Sequence, residues 1–293
     1  MESNEWTTIT TINNLPFIIM QRMHGGRVAC GKDFIYLINT GNQLMVIRKD
    51  NFYWEIIEDV QISIAGPCVV INDKLNVIGG YWNDKHLVFD RDNERFEIAH
   101  DLQQQTGWRG IGKHTLVQME DTSLYTFGGD NLKARGHNDI YYLNKEATEW
   151  ALSEVKLPAK LRNLACTSVV KERFILLFAG EQDPEKGDYW PWEDNYEIYI
   201  FDIKQNELRK SRIRCPIKGR AKAMTFIEGN EKTVHGWLRE TWKLFNIDDR
   251  QYPPHYLVKI MERYYVTEWI HLLYNKYNTM RHFKVRVKDI LHY

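Results

Sequence analysis

Neither sign of charge prevails in this chain: Lys and Arg number 39, Asp and Glu number 39, and the formal net charge is zero. Binders of nucleic acid or of anionic membrane surfaces normally carry a basic excess, so neither is expected as a partner. Cysteine is scarce as well. Cys30, Cys68, Cys166 and Cys215 lie far apart, and none forms a C-x-x-C or Cys/His group with zinc-ligand spacing. Cys30, Cys68 and Cys166 fall in apolar strand-like runs, so buried free thiols in a reducing compartment are the expectation. No apolar run approaches the ~20 residues of a membrane helix. The opening MESNEWTTIT has neither the basic nor the apolar region of a secretory signal, and an intracellular, cytoplasmic protein is expected.

Catalytic signatures are missing too. There is no H-x-x-H or H-E-x-x-H pair for zinc, no G-x-S-x-G elbow and no phosphate loop. The histidines are scattered, and His86, His235, His271 and His282 sit in or beside strand-like runs, where a structural role is expected. Asp183, Glu185, Asp188, Glu193 and Asp194 supply oxygen ligands without ordered spacing, which reads as a solvated loop and not a calcium site. No catalytic residue, metal or cofactor is expected.

What is present is apolar and repetitive. Hydrophobic residues make up 43% and aromatics 13%, which excludes a disordered chain. NVIGG (76–80), YTFGG (125–129) and LLFAG (176–180) recur at a spacing of about fifty residues, the mark of a repeat architecture. Each unit holds four short runs rich in β-branched and aromatic residues, which read as strands. The units cover about 26–60, 66–101, 113–156, 164–213 and 221–288 of one domain spanning 1–293. Breaks such as Asn72-Asp73 and Glu120-Asp121 suit tight hairpins. In the first unit Asn39-Thr40 replaces the glycine pair, and in the fifth Gly236 keeps one glycine. That last unit is expected to continue with strands at 269–275 and 282–287, and 5–10 reads as an additional outer strand.

The order within a unit is an inner strand, an apolar strand ending Gly-Gly, a strand ending Phe89-Asp90, Leu143-Asn144 or Phe201-Asp202, and a strand opening on Trp54, Phe96 or Trp150. This resembles the kelch repeat. The resemblance implies an all-β propeller whose blades are four-stranded sheets; five blades are the first count and six the second. WD40 repeats are the nearest rival, but no unit has their Gly-His opening or Trp-Asp ending. Within the last unit, 253–265 opens on two prolines. It places Tyr256, Ile260 and Tyr264 on one stripe beside Leu257, Met261 and Tyr265, an inserted amphipathic helix expected to pack on the propeller's edge.

Function is sought where loops gather at the ends of such a ring. Arg27, Arg109, Arg162 and Arg220 stand just before or at inner strands; either they form together an electropositive mouth able to hold carboxylates, or each bonds within the ring to backbone carbonyls or an acidic neighbour. Kelch domains that capture acidic peptides are similar in this respect. The loop at 180–195 adds Tyr189, Trp190 and Trp192 around a proline, and neighbouring loops add Trp82, Lys133, Arg135 and His137. These residues point to a non-catalytic protein-interaction module, a scaffold or substrate adaptor, binding a partner peptide or loop. A small-molecule or carbohydrate-binding propeller, or an enzyme, is the second reading, with the tryptophans as stacking platforms. The resemblance also implies links to ubiquitin ligases or to actin. No BTB or F-box segment stands before the first unit, so a ligase role is expected to need a separate adaptor.

Overall fold

The computed structural model describes residues 27–38, 43–60, 66–131, 136–146, 148–169, 173–184 and 192–215, and the backbone of 220–227, 233–239 and 280–286. They group into two compact units. One takes the described residues up to Asn131 with Ile140–Ser153; the other takes Gly136–Asp139 with the described residues from Glu154 onward. The protein is all-β, built of antiparallel sheets joined strand to strand in chain order.

In the first unit, β1 (Arg27–Cys30), β2 (Phe34–Ile38), β3 (Leu44–Arg48) and β4 (Trp54–Ile57) make the first sheet. The second comprises β5 (Cys68–Ile71), β6 (Lys74–Ile78), β7 (Lys85–Asp90) and β8 (Arg95–Asp101). A short helix α1 (Leu102–Thr106) leads on to the third sheet. That sheet holds β9 (Thr115–Gln118), β10 (Leu124–Phe127), β11 (Ile140–Leu143) and β12 (Ala151–Leu152). Asn72 and Asp73 take φ of 49° and 60°, the paired left-handed conformation that lets a two-residue turn follow the twist of β5 and β6.

Consecutive sheets of this unit stack face to face. Tyr36, Leu44 and Val46 of the first sheet share one core with Leu75, Val77 and Phe89 of the second. Ile78 of the second shares another with Trp108, Leu124, Tyr141 and Trp150 on the side of the third. A sheet covered on both faces needs apolar side chains in both directions, which is why β6 is buried along its length after Lys74. The first strands of the first two sheets, β1 and β5, run as neighbours.

The second unit begins with β13 (Leu161–Arg162). Its main sheet orders β14 (Ala165–Val169) and β15 (Phe174–Phe178) beside the later strands β18 (Glu197–Asp202) and β19 (Glu207–Arg214). Between them β16 (Glu181–Gln182) bonds on one side to β13 and on the other to β17 (Glu193–Asp194), a small three-stranded sheet with β16 and β17 inside the stretch expected as a loop. β20 (Arg220–Ile227), β21 (Thr233–Arg239) and β22 (Met280–Arg286) form the last sheet, and β20 neighbours β14. The run at 282–287 was expected as an outermost strand. It is β22, which bonds directly to β21 and forms the edge of this sheet among the described residues. The expected strands at 5–10 and 269–275, the helix at 253–265 and the Asn39-Thr40 pair lie outside the described residues.

The recurring small pair has one geometry wherever it is described. φ is 59° and 123° at Gly79-Gly80, 62° and 106° at Gly128-Gly129, and 52° and 84° at Ala179-Gly180. An asparagine two residues before the third strand secures the turn. Asn83 donates through Nδ2 to the Gly79 carbonyl (2.9 Å) and accepts the Lys85 N–H (3.0 Å). Asn195 repeats the pattern, donating to the Ala179 carbonyl (2.7 Å) and accepting from the Glu197 N–H (3.2 Å). Asn195 is buried, so Asn195→Ala strands a carbonyl away from water. That variant is expected to lose about 2 kcal/mol in urea unfolding. A change below half a kilocalorie shows the turn to be held by other means.

The cysteine expectation needs correction at one position. Cys215 is buried and Cys68 and Cys166 are half-buried, but Cys30 is exposed. Along β1 only Ala29 faces the core, and alternation turns Val28 and Cys30 outward. Among the described residues no helix is long and apolar enough to cross a membrane.

Candidate functional site

Polar and aromatic groups gather around the turn that follows β6. Trp82 sits there at φ 59° with 79% of its surface exposed, an uncommon combination for a bulky residue. Its backbone lies against Gly110, where an added Cβ would come within 3.2 Å of the Trp82 nitrogen. Arg109, the preceding residue, is exposed. Trp82 and Arg109 are therefore brought to one place by two different loops.

Tyr81 anchors this turn from beneath. Its hydroxyl donates to Asp130 Oδ1, and Lys113 Nζ lies 3.4 Å from the other carboxylate oxygen and 5.5 Å from the Tyr81 ring centroid. Gly112 and Asp130 exchange backbone hydrogen bonds of 2.8 and 2.9 Å, and the Tyr81 ring occupies the space a Gly112 side chain would need. Sequence reasoning passed over Tyr81, Lys113 and Asp130. A tyrosine directly after Gly-Gly and an aspartate directly after the next Gly-Gly were the available signals.

Arg27, the first residue of β1, is close enough to Tyr81 and Cys68 for each to act on its charge. Burial outweighs both and lowers its pKa, while the same burial pushes the Cys68 thiol up to about 12. The Arg27 Nε is fully enclosed and has no hydrogen-bond partner.

In the second unit the expected residues meet other fates. Arg162 Nε donates to Glu181 Oε2 (3.0 Å), which also accepts from Asn163 Nδ2 (2.9 Å). The Arg162 guanidinium lies 3.8 Å from the centroid of the half-buried Trp192 ring. The tip of that ring fills the space beside Gly136, whose absent Cβ would stand 3.0 Å away. Arg162 and Trp192 thus hold one another against the small sheet instead of facing outward as a pair. His137 lies 3.6 Å from Asp139, which Lys156 approaches to 3.0 Å. His137 first, then Lys156, holds the Asp139 carboxyl below its ordinary value. Arg220 opens β20; Arg135, Tyr189 and Trp190 lie outside the described residues. Among the described residues no three His, Cys, Asp or Glu side chains gather as a cation site.

The fold has a counterpart among solved structures. The chain is similar to the structure of YjhT, with a TM-score of 0.53 and 12% identity, over 72% of this chain and 75% of that one. At that identity the likeness speaks for the fold alone. No protein-family profile and no curated protein matches the chain.

Proposed function

We propose that the chain is a kelch-type β-propeller serving as a protein-interaction module, and that its partner presents an acidic segment to Arg27 and Arg109 beside Trp82. Three features support the radial arrangement: four-stranded sheets in chain order, face-to-face stacking of consecutive sheets, and first strands lying as neighbours. Five such sheets are the favoured count, with the β13–β16–β17 sheet as an accessory. A binding role is favoured because the exposed Trp82 lies beside the exposed Arg109.

One observation carries the site. An exposed tryptophan is held in left-handed backbone beside the exposed Arg109, and the preceding Tyr81 lies within electrostatic range of the half-buried Arg27. Strained backbone persists where the surroundings over-determine it, and an aromatic flanked by arginine is the residue type that dominates interfaces. An incoming carboxylate would gain a charge-assisted contact with the exposed Arg109 guanidinium.

The test is fluorescence anisotropy with labelled acidic and matched glutamine-substituted peptides, followed by the partner recovered from the native cell. Trp82→Ala is expected to weaken binding about thirty-fold, the scale of an interface hot spot. Arg27→Lys and Arg109→Gln are expected to weaken the acidic peptide and leave the neutral one unchanged. Equal binding of both peptides by wild type removes the acidic class. Stabilisation by a glycan panel with no peptide binding favours the small-molecule reading instead.

A further inference from the structure

We propose that His86 closes an acid-sensitive clasp between the second and third sheets of the first unit: its neutral ring accepts the Trp150 indole N–H, and protonation releases Trp150 together with the outer edge of the third sheet.

The geometry fixes which nitrogen carries the proton. His86 and Trp150 are each 3% exposed, and Trp150 Nε1 lies 3.3 Å from His86 Nδ1. An indole nitrogen can only donate, so Nδ1 must offer its lone pair. The other ring nitrogen, Nε2, is 2.9 Å from Asn76 Oδ1. Asn76 Nδ2 is committed to the Lys74 carbonyl at 2.7 Å, which leaves its oxygen towards the ring. Nε2–H therefore donates to Asn76, and every polar atom of the chain Trp150–His86–Asn76 has one role. A second proton on Nδ1 would set two N–H groups head to head in a buried place.

Burial and a stacked histidine oppose the charged form of the ring. His100 of β8 stacks on His86 at 5.1 Å with 22° between planes, so a second cation there is repelled. The nearest charges on the same strands, Lys85 and Asp101, are paired with one another at 2.5 Å. Burial lowers the His100 pKa, while the Thr148 backbone and Glu149 pull the other way. From α1 comes the neutral Gln105, whose Oε1 accepts the Trp150 backbone N–H at 3.0 Å. Burial, then His100, lowers the His86 pKa to about 3.

The sign of the effect follows. A released imidazole takes its proton near pH 6.5, whereas the clasped one stays neutral until far lower. The open form thus binds more protons than the closed one below about pH 6.5, and opening becomes easier as pH falls from there. At pH 5 the open population is expected to stand about thirty-fold above its value at pH 7.5.

Hydrogen exchange on the whole chain, corrected for intrinsic rates, reads this at the amides of Trp150 and Ser153, both hydrogen-bonded when the clasp is shut. A rise of about thirty-fold between pH 7.5 and 5.0 is expected, confined to this edge and absent in His86→Gln, which keeps a donor and an acceptor without titrating. Level exchange in wild type, or the same acid response in His86→Gln, overturns the proposal. Should that variant fail to fold, ring-nitrogen NMR of wild type decides. An Nε2–H tautomer at pH 7.5 supports the clasp, and Nδ1–H rules it out.

Discussion

Trp108→Ala is expected to remove about 3–5 kcal/mol, a large part of the 5–15 kcal/mol margin of an ordinary domain. Trp108 is 1% exposed and fills the space between the second and third sheets with Ile78, Ile111, Leu124 and Tyr141. Its ring meets Tyr141 at 4.8 Å and stands edge-on to His114 at 4.9 Å. The Gly79 backbone lies on the ring so closely that a Cβ there would come within 2.5 Å of Cζ2. Deleting the indole leaves a void lined by backbone and by β-sheet, neither of which can collapse inward. The indole N–H, by contrast, has no hydrogen-bond partner, so it contributes desolvation cost and no bond. Trp108→Phe should therefore lose less than half as much. Urea unfolding of the two variants checks both statements, and a loss under about 1 kcal/mol for the alanine contradicts the assignment of Trp108 to the centre of this core.

Gly129→Ala carries the next largest effect, again about 3–5 kcal/mol when backbone strain and overcrowding are taken together. Its φ of 106° lies in a region that residues with a Cβ scarcely occupy. The new methyl would also meet Ile111 Cγ2 at 2.5 Å and the Gly112 carbonyl at 2.7 Å. That carbonyl is hydrogen-bonded to the Asp130 N–H, so the clash pulls on the bridge beneath Tyr81. Gly107 provides the control. It closes α1 at φ 75°, and a Cβ there meets nothing within 4 Å. Gly107→Ala is expected to cost only about 1 kcal/mol, the price of left-handed backbone by itself. Equal losses for the two alanines in thermal unfolding would show that crowding at Gly129 is unimportant.

Much of the sheet framework was legible beforehand because it rests on local signals. Alternating or continuous apolar runs, Asn72-Asp73 between them and a small pair after each second strand mark hairpins whose partners are adjacent in sequence. α1 was legible in principle as well. Asp101 accepts the Gln104 N–H at its start and Gly107 stands at its end, both ordinary helix limits. β13, β16 and β17 were not legible. Each is two residues long, and they exist only because distant backbone happens to be presented to them.

The candidate site divides in the same way. Trp82 and Arg109 were chosen as loop residues of adjoining repeats and do come together. Arg162 and Trp192 were chosen on equal grounds, yet Glu181 and Gly136 draw them inward. Whether a cation is neutralised depends on which carboxylate the chain returns beside it, and nothing in the local pattern of Leu161-Arg162-Asn163 names Glu181.

By itself the sequence determined the longer strands of the first four repeats, their order within those sheets and the left-handed pair that follows β6, β10 and β15, because these follow from side-chain period and from small residues. Only the tertiary structure decided which arginine keeps an unpaired nitrogen, and that His86 is buried as an acceptor for Trp150. Those outcomes depend on burial and on partners from distant repeats.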